Sequence, residues 1–415
     1  MANSGTDTTP AAPPSVDLNI PRDRHLFGPG PKRILSLDGG GVRGVITIAF
    51  LERIEAILKE SPGTNVRLSD HFDLIGGTST GSIIAAGLAL GMSASDVKQM
   101  YFDLAPNVFK TSWFRVKYLR ARFSAHALRN ELELIIGNRK LDSLDLKTGF
   151  CVVAKRMDTG SAWSMTNNPC APYWETPPDN TYLGNRHYRL ANIVRASTAA
   201  PTFFAPERLP IGDNINDGLF VDGGVSPYNN PVIALLLQSQ LAAFKLNWKT
   251  GPENLKIVSI GTGIHRHRME VPSRAVTALR KARQRLDVVS TMSMAIDSLK
   301  TVIDDAEQQS LQIMQWLGDT PKEMRWYVNS EVRHMHEDIG LHRSLFRFFR
   351  YNVRLERDFL KDEVGVTCSD EELEELRLME NVDMMQRCYE IGQKAAEKQI
   401  RPEHWKWPAK NPALA

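Results

Sequence analysis

The feature that most limits this fold is a short apolar strand run into a glycine turn and then a helix, written twice near the N-terminus. Ile34, Leu35 and Leu37 lead through Asp38 into Gly39-Gly40-Gly41-Val42-Arg43-Gly44, after which Leu51, Ile54 and Leu58 recur at helical spacing. Phe72, Leu74 and Ile75 lead through Gly76 into Gly77-Thr78-Ser79-Thr80-Gly81, and an Ala/Leu/Ile-rich helix over 82–90 follows, closed by Gly91. Successive strand–turn–helix units predict a parallel sheet, because each helix carries the chain back to begin the next strand alongside the last. Further strands are expected over 151–154 and 257–260, with helices over 128–136 and 232–244 between them. The expected class is α/β, with helices on both faces of a mostly parallel sheet.

The 415 residues allow one large α/β domain or two to three smaller ones. Residues 1–31 hold six prolines among few apolar side chains and read as a flexible leader. Residues 32–270 carry the α/β pattern. Residues 271–415 turn to long polar helices, over 273–315 and 370–400, around one more strand over 345–353, and read as a helical region packed on the α/β domain. The chain is 42% hydrophobic and 24% charged with a mean hydropathy of -0.29, a globular balance. A formal charge of +3 gives no ground for a nucleic-acid partner. Cys151, Cys170, Cys368 and Cys388 are far apart, which suggests neither a zinc site nor a disulfide framework. No apolar run has the length of a membrane span or a signal peptide, so a cytoplasmic, soluble chain is expected.

Gly77-x-Ser79-x-Gly81 between strand and helix has the form of a nucleophile elbow, in which small flanking residues let the chain turn sharply under an exposed hydroxyl. A helix N-cap is the other reading of Ser79. Gly39, Gly41 and Gly44 also fit a dinucleotide fingerprint, but Glu60, the acid nearest the required spacing, falls at a helix end instead of a strand end. Consecutive glycines serve equally as a nest of backbone N–H groups for an oxyanion, with Arg43 either adding charge or packing outward. His265 and His267 follow a predicted strand and could complete a serine triad. Asp222, in Val221-Asp222-Gly223-Gly224, is the better base candidate; an ordinary Asp-Gly turn is its plain alternative.

Taken in order, the segment from Asp38 to Gly44, the elbow at Ser79 and the Asp222-Gly223-Gly224 segment resemble the patatin-like phospholipase family. Residues 194–204 and 229–234 are similar to its supporting stretches, and the match runs over about residues 34–264. The resemblance implies a three-layer α/β/α sandwich and a Ser79–Asp222 dyad with no third member. It implies an oxyanion hole at Gly39, Gly40 and Gly41 with Arg43 beside it, a phospholipid acyl ester as substrate, and neither cofactor nor metal. Some bacterial members are toxic effectors or are switched on by cyclic nucleotides, so a regulated effector, and a binding protein with an incidental dyad, stay open beside housekeeping lipid turnover. Residues 110–123 carry five basic residues interleaved with aromatics, which suits either peripheral contact with anionic lipid or a lid. The basic stretch 274–285 reads as solvated helix surface.

Overall fold

The computed structural model describes residues 16–60, 66–109, 124–212, 217–265, 287–324 and 343–406. Its strands are β1 (Lys32–Leu37), β2 (Leu74–Thr78), β3 (Gly149–Arg156), β4 (Ala162–Thr166), β5 (Glu207–Pro210), β6 (Asp217–Asp222), β7 (Leu255–Ile260), β8 (Gly318–Asp319) and β9 (Phe346–Tyr351). The helices that matter below are α1 (Pro21–Phe27), α2 (Gly44–Lys59), α3 (Leu68–His71), α4 (Thr80–Ala89), α5 (Ala94–Val108), α6 (Ala125–Ile136), α7 (Leu190–Ser197), α8 (Val232–Gln240), α9 (Asp287–Leu317), α10 (Asp370–Arg377) and α11 (Met385–Gln399).

All nine strands form one sheet in the order β5-β6-β3-β2-β1-β7-β9-β8, with β4 on β3. The pairs from β3 through β2, β1 and β7 to β9 and β8 are parallel, while β4, β5 and β6 join antiparallel at one edge. The central strands are buried throughout, as strands covered on both faces must be.

Side-chain alternation divides the core between the two faces. Leu35, Val258 and Phe349 point into a cluster built with α2, α4, α5, α6, α7 and α11. Their neighbours Ile34, Ile257 and Phe348 point into a second cluster with Leu26 of α1, Val232 and Leu235 of α8, and Leu311 and Met314 of α9. The result is the helix–sheet–helix sandwich expected from the sequence.

Two differences from the sequence reading have physical causes. Order begins before β1, because Leu26 of α1 is fully buried and the Trp248 indole N–H donates to its carbonyl at 2.8 Å, so the leader's composition understates its packing. Residues 1–15 lie outside the described residues. The sheet also continues past residue 270: β9 pairs with β7 from Lys256 to Ile260, so a domain boundary there would cut a buried sheet. α11 is bedded on α2 at Gly392, where an added Cβ would stand 3.0 Å from the Ala49 Cβ and the Ile46 Cα.

That contact makes one prediction. Gly392→Leu should overpack the α2–α11 seam and destabilise the protein by about 1–3 kcal/mol in urea unfolding, while keeping a single transition. A change below about 0.5 kcal/mol, or a separate transition for the C-terminal helices, would contradict the packing described.

Candidate active site

Ser79 follows the last residue of β2, and Asp222 ends β6. Thr78 of β2 pairs with Val153 of β3, and Asp222 of β6 pairs with the next residue, Ala154. Because β4 occupies β3 over the same stretch, from Cys151 to Lys155, β2 and β6 share the other edge and meet end to end. This brings Ser79 and Asp222, 143 residues apart in sequence, to a 2.6 Å hydrogen bond in which Ser79 Oγ donates to Asp222 Oδ2.

The backbone at Ser79 has φ 52 and ψ -126, a conformation that a residue with a Cβ adopts only under constraint. Its N–H donates to Ser197 Oγ at 2.9 Å, and Ser197 Oγ in turn donates to the Val153 carbonyl at 2.6 Å. Ser82 Oγ donates to the Ser79 carbonyl at 2.6 Å. Gly77 and Gly81 leave no room for side chains: a Cβ on Gly77 would stand 2.1 Å from the Gly81 carbonyl oxygen, and one on Gly81 2.2 Å from that of Leu37. Ser79 stands at the N-cap position of α4, yet its side chain makes no cap hydrogen bond. Its hydroxyl is turned to Asp222 instead.

Asp222 is buried, and its Oδ1 accepts the Gly224 N–H at 2.7 Å. Burial pushes its carboxyl up to about 6, against the pull of the Ser79 and Gly224 hydrogen bonds and of the Arg195 charge. Gly223 fits beneath it, where a Cβ would lie 2.3 Å from the Val153 carbonyl oxygen.

The glycine loop runs from the end of β1 over this pair. The Gly39 N–H donates to the Asn229 carbonyl at 3.1 Å, and the Gly39 carbonyl accepts from Thr262 Oγ1 at 2.9 Å. Since a trans peptide sets its C=O and N–H on opposite sides, the Gly40 N–H points away from Thr262. Gly41 has φ 58, and its carbonyl accepts from Tyr101 Oη at 2.7 Å and Thr80 Oγ1 at 2.9 Å. The Val42 N–H donates to the Met379 carbonyl at 2.7 Å. This leaves the N–H groups of Gly40 and Gly41 with no acceptor among the described residues.

Two expectations from the sequence change accordingly. Gly39 has its N–H committed to Asn229. Arg43 is buried, its guanidinium lowered by burial, and the groups acting on its charge are Cys388, Asp304, Glu307 and Glu380, from the C-terminal half of the chain. Its Nε and Nη1 have no hydrogen-bond partner among the described residues, and neither Ser79 nor Asp222 is among the groups that act on it.

His265 lies on the partly exposed loop after β7, while the acceptor for the Ser79 hydroxyl is Asp222; His267 is outside the described residues, as are 110–123 and 274–285. Glu60 caps the C-terminal end of α2, where a helix end was expected. Among the described residues no cluster of three or more His, Cys, Asp or Glu could hold a metal ion, and no helix is long and apolar enough to cross a membrane.

Sequence reasoning missed Ser197, Asn229 and Thr262. Ser197 and Asn229 fall within stretches marked as supporting, but no local pattern says that one hydroxyl holds the elbow or that one carbonyl occupies the first glycine. The Asn229 side chain is also wedged in the site, with its Oδ1 2.5 Å from where a Gly39 Cβ would be and 3.0 Å from a Gly224 Cβ.

A mostly parallel sheet that gathers its polar residues at the strand ends defines an α/β protein with its site in the usual place for that architecture. The patatin-like phospholipase family model matches residues 35–236, from β1 into α8. A cGAMP-activated phospholipase of Escherichia coli is 32% identical over 235 residues, covering 55% of this chain and 62% of that protein. A cGAMP-activated phospholipase of Vibrio cholerae is 30% identical over 257 residues, covering 59% and 67%. Patatin-like protein 4 of Arabidopsis thaliana is 28% identical over 252 residues, covering 55% and 59%. The chain belongs to the patatin-like phospholipase family, and it spans about six-tenths of the length of these relatives.

The arrangement can pass a proton from the Ser79 hydroxyl to a carboxylate that must first be ionised. Modification of Ser79 by a fluorophosphonate should therefore accelerate as pH rises through about 6 and level off above it. A limb near 4, the range of an exposed aspartate, would contradict the burial of Asp222 as the cause of its shift.

Proposed function

We propose that this chain is a lipid acyl hydrolase of phospholipase A type, which cleaves acyl esters of glycerophospholipids through a Ser79–Asp222 dyad. The observation that carries this reading is the 2.6 Å hydrogen bond from a strained Ser79 to a buried Asp222, in a chain of this family. Ser79 Oγ attacks the ester carbonyl carbon as its proton moves to Asp222 Oδ2. The tetrahedral oxyanion is met by the N–H groups of Gly40 and Gly41 and by the N-terminal end of α4. Collapse breaks the bond to the lysolipid oxygen, which leaves with the proton from Asp222. Water then attacks the acyl-enzyme, giving its proton to Asp222, and Ser79 Oγ departs with a proton to restore the dyad.

An ordinary aspartate would be a poor acceptor for a serine proton at neutral pH. Burial raises Asp222 to about 6, which brings it closer to a working base while leaving it ionised at pH 7. Its hydrogen bond from Gly224 leaves Oδ2 aimed at the hydroxyl, so no histidine is needed to relay the proton.

The names of two bacterial relatives include activation by cGAMP, and on that ground we assign this chain a cyclic nucleotide as its candidate activator. Residues 110–123 are the segment we assign to the lipid surface, as a basic stretch interleaved with aromatics.

The test is fatty-acid release from mixed phosphatidylcholine and phosphatidylglycerol vesicles in EDTA, with and without cGAMP. Wild type should release fatty acid, and Ser79→Ala and Asp222→Ala should each reduce the rate by about 10⁴-fold or more while remaining folded. Turnover by folded Ser79→Ala at the wild-type rate, or silence of the wild type in both conditions, would overturn the reading.

A further inference from the structure

The glycine loop is held at its first end by residues outside the segment that the family model matches. At its first end stands Asp38, buried where β1 stops. Arg350 reaches it from β9, two strands away, on the face that carries α9. Along that path Ser36 of β1 and Ser259 of β7 are paired in register, and Ser259 is paired in register with Arg350. These small side chains leave a channel for the fully buried guanidinium. Arg350 Nη1 and Nη2 donate to Asp38 Oδ1 and Oδ2 at 3.0 and 2.5 Å, and Nη1 also donates to Ser259 Oγ at 2.7 Å. Nη2 donates further to Glu307 Oε1 of α9 at 2.6 Å.

At the loop's other end Arg43 is buried, and Asp304 and Glu307 of α9 act on its charge together with Glu380 and Cys388. Glu307 is thus common to both ends: it takes a hydrogen bond from the arginine that grips Asp38, and its charge reaches Arg43. A guanidinium without solvent and without its carboxylates would be strongly unfavourable, so Arg350 ties Asp38, at the start of the loop, to Glu307 of α9. Further along the loop the Met379 carbonyl accepts the Val42 N–H and abuts Gly41.

We propose that Glu307 and Arg350 are positioning residues for the glycine loop, so that the Gly40 and Gly41 N–H groups are set for an oxyanion only while α9 is docked. This rests on the hydrolase reading for its catalytic consequence but not for its structural content. A ligand or partner that moved α9 would reach the site through these two residues without touching Ser79 or Asp222.

The test uses the full chain with Glu307→Gln and Glu307→Leu. Hydrogen exchange by mass spectrometry reads the loop over 38–44 and, separately, α4. Turnover of a soluble short-chain ester, counted per fluorophosphonate-titrated Ser79, reads the chemistry. Both variants should exchange faster over 38–44, by about tenfold or more for Glu307→Leu and less for Glu307→Gln, with α4 unchanged. In Glu307→Leu, kcat per titrated site should fall about 10- to 100-fold, with KM held within about twofold.

Wild-type exchange over 38–44 in folded Glu307→Gln would overturn the proposal, as would a rise shared equally by α4, which marks general loosening. A KM rise at unchanged kcat would also overturn it. Faster loop exchange in the variants of a protein whose wild type turns over no ester would uphold the positioning role and defeat the hydrolase reading instead.

Discussion

The site depends on a backbone held where it would not rest by itself. At φ 52 Ser79 occupies a region that costs a residue with a side chain about 1–3 kcal/mol, and the cost is offset by contacts that only this conformation allows. Ser197 takes the Ser79 N–H, Ser82 donates to its carbonyl, and the turn closes tightly enough that neither Gly77 nor Gly81 could carry a Cβ. Relaxing the turn would swing the hydroxyl away from Asp222 and toward the capping position that serine commonly takes at a helix start. Strain, hydrogen bonding and the missing side chains therefore act as one device.

Sheet topology does the rest. β2 and β6 come from distant parts of the chain and are set end to end against β3, so the serine and the aspartate meet without a loop having to reach across. On the other side of β1 the parallel order continues to β9, and that order lets Arg350 lie against Asp38. Two carboxylates share this guanidinium. Burial pushes Asp38 up to about 7 even though Arg350 pulls it down, while Asp38 and Glu307 together hold Arg350 above its usual value against the opposing effect of burial. Such a cluster adds little net stability, since desolvation offsets most of the attraction, but it fixes geometry because breaking it leaves a buried charge alone.

What could be read in the sequence was what is local. The glycine loop, the elbow at Ser79 and the Asp222-Gly223-Gly224 turn each show themselves within a few residues, because close backbone approach demands glycine and a strand end demands a turn. The apolar runs of β1, β3 and β7 were legible for the same reason. β6 was seen only as an apolar run before Asp222, and β4 and β5 were not seen: their residues are half-exposed or short, and their pairing is antiparallel at an edge. The burial of Arg43 has no local signal, since the charges that act on it come from α9 and from the C-terminal end of the chain. Ser197, Asn229, Arg350 and Glu307 could not have been identified locally, since each acts on a residue that only the strand order brings near it.

In the proposed mechanism Ser79 is the nucleophile and Asp222 activates it. The most direct measurement is intact-protein and peptide mass spectrometry after exposure to a fluorophosphonate, comparing the wild type with Asp222→Asn. A single adduct that maps to Ser79, formed at least about 100-fold more slowly when Asp222 is Asn, is the expected result. An adduct on another residue, or equal labelling of Ser79 with and without the Asp222 carboxylate, would contradict it.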